Sequence, residues 1–193
     1  LITKQDQSSL QGKEYFLYGL FYGSIFILAL YNAGVYFSLR DKSYLFYILY
    51  ILSFSLVQAS TTGIGQQYLW PALDNATTRI ALLAIVMTNY FMIYFVIHFL
   101  DVKSHAPALI KPLRLLAWAV LLCAPLLLLP RYVFPQYYLH TLNILGMISI
   151  IIVIFRVYPR NKRPTTYLLV GYSVLFSAIL LALLFQANFI AHH

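Results

Sequence analysis

Six long apolar runs, separated by short polar breaks, are the feature of this sequence that most limits its fold. A helix of about 20 residues spans the hydrocarbon core of a bilayer, and each run is close to that length. Hydrophobic residues make up 62% of the chain and charged residues 9%, too few charges to cover the surface of a water-soluble domain. The sequence therefore predicts an all-α, polytopic transmembrane helical bundle, with spans at about 15–39, 44–62, 79–100, 113–130, 136–158 and 165–190.

The Lys and Arg residues predict which ends of the spans face the cytoplasm. Nine of the 13 lie in or beside the first, third and fifth breaks. Short cationic loops resist translocation, so these breaks are predicted to be cytoplasmic and the N-terminus periplasmic. This loop distribution also explains the net charge of +8, and we expect no nucleic-acid partner. The predicted topology anchors are Arg40, Lys42, Arg160, Lys162 and Arg163.

The same topology makes predictions about the two ends of the chain. Residues 1–14 are polar and lack the pattern of a signal peptide, so we expect an extracytoplasmic lead-in from an upstream domain. Six spans would leave the C-terminus outside, and a seventh span beyond His193 is therefore expected. Asp41, between the basic residues of the first break, is a typical turn residue.

Several ordered motifs in the first 71 residues resemble those of a known family. They are Y-G-L-F-Y-G at 18–23, Y-N at 31–32, S-L-R-D-K-S-Y-L-F-Y at 38–47 and G-I-G-Q-Q-Y-L-W-P at 63–71. Together they resemble the membrane domain of bacterial seven-transmembrane receptors with diverse intracellular signalling modules (7TMR-DISM). The later helices are similar only in spacing and apolarity.

The resemblance implies a receptor or sensor module in the bacterial inner membrane. In that family a periplasmic sensor domain precedes the first helix, and a cytoplasmic signalling domain, such as a histidine kinase or a diguanylate cyclase, follows the last. Neither domain is present in these 193 residues, so the chain is not expected to be an enzyme itself. The expected partners are the lipid bilayer, those two domains and a second copy in a homodimer.

Small and amide residues in the spans are the candidates for helix packing. Gly19 and Gly23 form a G-x-x-x-G motif, which lets a helix of the same bundle or of a second copy approach closely. By their distance from the span ends, Asn32 and Asn89 lie at one depth, and Gln58 and Asn143 at another. Each pair is therefore predicted to join helices by hydrogen bonds, with a ligand pocket as the alternative. Tyr44 and Tyr47, near span ends, are interpreted as interfacial anchors.

No motif in the sequence indicates catalysis, a cofactor or a metal. There is no nucleophile elbow, zinc-protease motif or phosphate-binding glycine loop, and no two His residues stand at the helical spacing of a metal site. No Asp, Glu, Lys or Arg lies in the middle of a span, which argues against a proton-coupled transporter. Two alternatives to the receptor stay open: a transporter or channel for neutral small solutes, and a membrane scaffold subunit. The ligand-binding residues are unknown at this point.

Overall fold

The computed structural model describes residues 4–72, 77–127, 133–171 and 173, and its regular structure there is helical throughout. Helix α1 covers Lys4–Leu39 and α2 covers Lys42–Thr61. A π-helical turn at Gly65–Leu69 precedes α3, which covers Thr77–Phe99. After these come α4 (Val102–His105), a 3-10 turn (Pro107–Leu109), α5 (Ile110–Leu121), α6 (Cys123–Leu127), α7 (Val133–Val157) and a helix α8 at 162–171.

The prediction of an all-α membrane bundle is confirmed. Five helical segments of the described chain are long and apolar enough to cross a membrane: Tyr15–Leu39, Lys42–Thr61, Thr77–Phe99, Pro107–Leu127 and Tyr137–Val157. The count is five where the sequence predicts six. Helix α8 falls at the start of the sixth predicted span, 165–190, and most of that span lies outside the described residues.

Helix α1 extends well beyond the first span. It runs without a break from Lys4 through the polar lead-in to Leu39, although its apolar part begins only at Tyr15. At about 1.5 Å per residue, the 36 residues measure about 54 Å, against a hydrocarbon core of about 30 Å. Part of α1 therefore projects from the membrane as a continuous helical extension of the first span.

Helix α3 is the centre of the bundle. One side of α3 packs on α2, and the other packs on α5, α6 and α7. Two clusters of buried side chains form this core, one nearer each end of the spans. Helix α1 packs on α2 and leaves Phe16, Ile27 and Tyr31 about 70% exposed. The buried core of the described bundle is thus formed around α3, and α1 lies at the edge of the bundle.

Two of the three corners on the predicted cytoplasmic side, the first and the third breaks, contain a residue with positive φ. Arg40 ends α1 with φ of 54°, and Asp101 follows α3 with φ of 44°. This left-handed conformation turns the chain sharply, and Asp tolerates it better than most non-glycine residues. Asp41 then caps α2, because its Oδ1 accepts a hydrogen bond from the Ser43 N–H at 2.8 Å. The predicted turn role of Asp41 is confirmed.

The fourth span is interrupted. Helix α5 ends at Leu121 and α6 begins at Cys123, two residues before Pro125. The proline ring would clash with the carbonyl of Leu121, four residues earlier, so a continuous helix cannot pass this point. The span also begins at Pro107, earlier than the predicted residue 113.

Hydroxyl side chains in the spans bond to their own helices. Ser53, Ser60 and Thr88 each donate to the carbonyl four residues earlier, at 2.7 to 2.8 Å. These bonds satisfy the hydroxyls without a partner on another helix. Such residues can therefore lie in an apolar span at little cost.

Candidate functional site

A cavity of about 670 Å³ lies among α2, α3, α7 and the start of α8 and is open on one side. The residues around it come from the second, third and fifth spans and from α8, and they include Tyr47 near the start of α2 and Phe99 at the end of α3. Its volume is within the range of about 300–1,000 Å³ that is usual for small-molecule sites. The described residues that line it are Tyr47, Tyr50, Phe54, Val57, Ile85, Thr88, Asn89, Met92, Ile93, Phe95, Phe99, Asn143, Gly146, Met147, Ile150, Tyr167, Leu168 and Gly171.

Aromatic rings form one wall of the cavity. Tyr47, Tyr50 and Phe54 follow one another at helical spacing and therefore share a face of α2. The ring of Tyr47 lies 5.4 Å from that of Phe95 on α3, and Phe95 lies 5.1 Å from Phe99. Packed aromatic pairs hold this wall at a fixed position. The interpretation of Tyr47 as an interfacial anchor missed its place on the wall.

Besides tyrosine hydroxyls on α2 and α8, the cavity has polar side chains on α3 and α7. On α3, Thr88 Oγ1 donates to the Ala84 carbonyl at 2.7 Å, and Asn89 Nδ2 donates to the Ile85 carbonyl at 2.8 Å. On α7, Asn143 brings a second amide to the same space. Both amides can offer donors and acceptors to a bound molecule. The lining residues that the structure describes include none with a charged side chain.

Two glycines leave part of the wall without side chains. A Cβ atom added at Gly146 or Gly171 would meet no described heavy atom within 4 Å. Gly146 is itself buried on α7. Both glycines line the cavity, and no side chain among the described residues fills the space beside them.

The predicted packing residues have different surroundings. Asn32 is 8% exposed and donates to the Leu28 carbonyl of its own helix at 2.7 Å. Gln58 Oε1 accepts from Thr61 Oγ1 at 3.4 Å, also within one helix. A Cβ atom at Gly19 or Gly23 would meet nothing within 4 Å among the described residues. The packing role of all these residues stays a prediction.

The two amides that line the cavity are not a pair that depth along the spans predicts. Depth along the spans pairs Asn32 with Asn89 and Gln58 with Asn143. In the structure Asn89 and Asn143 line one cavity, and Asn89 donates to its own helix. Depth alone could not reveal this, because the rotation of each helix decides which face its amides occupy.

The loop after α2 has a defined shape. Gly63 has φ of 78°, and a Cβ atom at Gly65 would lie 2.1 Å from Cζ2 of Trp70. The indole ring thus packs directly on the backbone of Gly65. Tyr15 Oη donates to Gln67 Oε1 at 3.4 Å, which joins the N-terminal end of the first span to this loop.

The basic and histidine residues lie mainly at the opposite ends of the spans. Arg40, Lys42, Arg160, Lys162 and Arg163 are all exposed, and the Arg160 guanidinium donates to the His105 carbonyl. His98 Nδ1 lies 2.8 Å from the Tyr94 carbonyl, and the ring of Phe46 lies 4.9 Å from the imidazole at an interplanar angle of 31°. Over the described residues, no three His, Cys, Asp or Glu side chains form a group that could hold a metal.

Comparison with known proteins gives one match. The family described as 7TM diverse intracellular signalling (7TMR-DISM_7TM) matches residues 14–193. The curated proteins and the solved structures give no significant match. The family match covers nearly the whole chain, including every helix around the cavity. The chain therefore belongs to the 7TM diverse intracellular signalling family, as the motifs of its first 71 residues predict, and is a multi-pass membrane domain of a sensor or signalling type.

Proposed function

We propose that this domain relays a ligand signal from the periplasm to a cytoplasmic signalling domain of the same protein, such as a histidine kinase or a diguanylate cyclase. Membership in the 7TM diverse intracellular signalling family is the observation that carries the proposal. The domain would lie in the bacterial inner membrane with its N-terminus outside. The chemistry of the output would then belong to the cytoplasmic domain.

The unbroken course of α1 supports a mechanical relay. A continuous helix transmits a shift or rotation along its whole length, whereas a flexible linker would absorb it. Helix α1 extends beyond the span and packs on α2. Only 11% of its apolar window is buried, and its main packing partner in the described chain is α2. An upstream domain could therefore move α1 against the bundle at low energetic cost.

The bonds at the two ends of the spans support a coupled movement. At the outer end, Tyr15 on α1 bonds to Gln67 in the loop before α3. At the other end, Arg160 before α8 bonds to the carbonyl of His105 after α3. Between these points helix α3 packs on α2, α5, α6 and α7. A signalling state would be a second packing of this bundle with a different ligand affinity.

The cavity is the observation that favours a second candidate function, a carrier of uncharged small solutes. Its open, uncharged space in the middle of the spans is typical of a transport site. Uptake of a series of radiolabelled neutral sugars and polyols into proteoliposomes distinguishes the two functions. Saturable uptake would favour the carrier over the receptor.

The relay is tested by changing α1 in the full-length protein. Two glycines inserted between Gly12 and Lys13 interrupt the helix where it leaves the span, because glycine disfavours helix. Membranes carrying the protein are assayed for phosphorylation from ATP and for cyclic dinucleotide formed from GTP. We expect one of these activities, and we expect the insertion to change it at least about fivefold, the lower end of typical allosteric coupling.

Two further insertions at the same point control for length and rotation. Seven alanines add about two turns and restore the helix phase to within about 20°, so activity should stay near that of the parent. Two alanines keep the helix but rotate its upper part by about 200°, and activity should change as with glycine. An activity that none of the insertions alters would refute a relay through α1. Absence of both activities would argue against a kinase or cyclase output.

A further inference from the structure

We propose that the cavity among α2, α3 and α7 binds an uncharged single-chain amphiphile from the bilayer, with its polar head between the amides of Asn89 and Asn143. This site would be separate from any periplasmic ligand. The proposal goes beyond the signalling role and does not depend on it.

The surroundings of the cavity select an uncharged ligand. Aromatic and aliphatic side chains predominate, and the described lining residues carry no charge. An ion moved into such a site would lose its hydration without gaining a partner of opposite charge, which is strongly unfavourable. A permanently charged amphiphile of equal length should therefore bind much more weakly.

The two amides require a ligand with a hydrogen-bonding group. Asn89 uses one N–H on the Ile85 carbonyl, which leaves its side-chain oxygen and second N–H for another partner. Asn143 has no hydrogen bond to another residue of the described chain and faces the same space. A hydrocarbon chain alone would leave these groups unpaired, which is unfavourable for polar groups removed from water. A hydroxyl or carbonyl head between α3 and α7 satisfies both.

The shape of the site suits a flexible chain that arrives through the membrane. The described residues enclose the cavity only in part, and Tyr167 in its lining is 72% exposed. Gly146 leaves its part of the α7 wall without a side chain, and no atom of the described residues lies within 4 Å of a Cβ atom added there. Because the lining residues lie within the spans, a ligand can enter from the bilayer without crossing water.

The test uses a fatty alcohol with a mid-chain diazirine and a terminal alkyne, added to membranes that contain the full-length protein. After illumination, the labelled peptides are identified and quantified. We expect saturable labelling of α3 and α7 that excess unmodified fatty alcohol displaces. In the Asn89→Leu/Asn143→Leu double variant, half-saturation should require about tenfold more probe, which corresponds to about 1.4 kcal/mol.

Variants on α7 separate binding from folding. Gly146→Phe fills the cavity and should abolish saturable labelling, whereas Ile148→Phe, on the exposed face of the same helix, should leave it unchanged. The folding of each variant is checked by thermal unfolding. If Gly146→Phe does not fold, the labelling of the Asn89→Leu/Asn143→Leu variant tests the proposal instead. The alkyltrimethylammonium of the same length should fail to compete. Labelling that does not saturate, that survives both changes, or that the charged analogue displaces equally well would overturn the proposal.

Discussion

Replacing Leu100 by alanine is expected to lower the free energy of unfolding by about 2–3 kcal/mol. Leu100 is completely buried at the end of α3 and packs in the cluster that joins α3, α5 and α7. Truncation leaves a cavity that the surrounding helices cannot fill completely. In a membrane the apolar reference phase reduces the transfer part of the loss, so the lower end of the usual range for leucine applies.

Leu115→Ala is the matched control for this prediction. Leu115 lies on α5 but is 73% exposed, so its loss should cost less than about 0.5 kcal/mol. Both variants are compared with the parent by thermal or chemical unfolding in detergent micelles. Equal stability of the two variants would mean that α3 is not the centre of the bundle.

Gly65→Ala is expected to disrupt the loop after α2 and to expose Trp70. The added methyl group would lie 2.1 Å from Cζ2 of the indole and 2.5 Å from Cη2, distances at which the ring or the backbone must move. Overpacking of this kind costs about 1–3 kcal/mol. In a Trp118→Phe background, which leaves Trp70 as the one tryptophan, the fluorescence should shift to the red and the unfolding temperature should fall.

Two further variants identify the cause of this effect. Gly19→Ala adds the same methyl group where no described atom lies within 4 Å, and it should leave stability unchanged or slightly raised. Trp70→Ala, made in the Trp118→Phe background, removes the ring that the methyl group of Gly65→Ala would clash with. Trp70→Ala should therefore lower the free energy of unfolding less when Gly65→Ala is present than when Gly65 is kept. Additive losses would show that contact with the indole is not the reason for the glycine.

The architecture could be predicted from the sequence because the membrane fixes so much of it. A span must be helical and about 20 residues long, so apolar length alone places the helices. The first, third and fifth spans begin or end within a few residues of the predicted positions. The larger difference, at the start of the fourth span, arises because Pro107 opens a 3-10 turn that continues directly into α5. Hydropathy does not detect such a turn.

The candidate site could be predicted only in part. Asn89 and Asn143 stand out in the sequence as amides in apolar spans, but which side of its helix each amide occupies depends on packing. Tyr47 and Tyr50 look like ordinary aromatics near a span end, and only the contact with α3 places them on a cavity wall. The sequence does not mark Gly146 as a cavity residue, because an isolated glycine is common in membrane helices.

The orientation of the first loops is the most direct test of the signalling account. Reporter fusions are made to the full-length protein with junctions after Lys42, after Asn75 and beyond the last apolar run, using one reporter active in the cytoplasm and one active in the periplasm. The account predicts a cytoplasmic signal at Lys42, a periplasmic signal at Asn75 and a cytoplasmic C-terminus. A periplasmic C-terminus would leave no route from the bundle to an internal effector and would contradict the account.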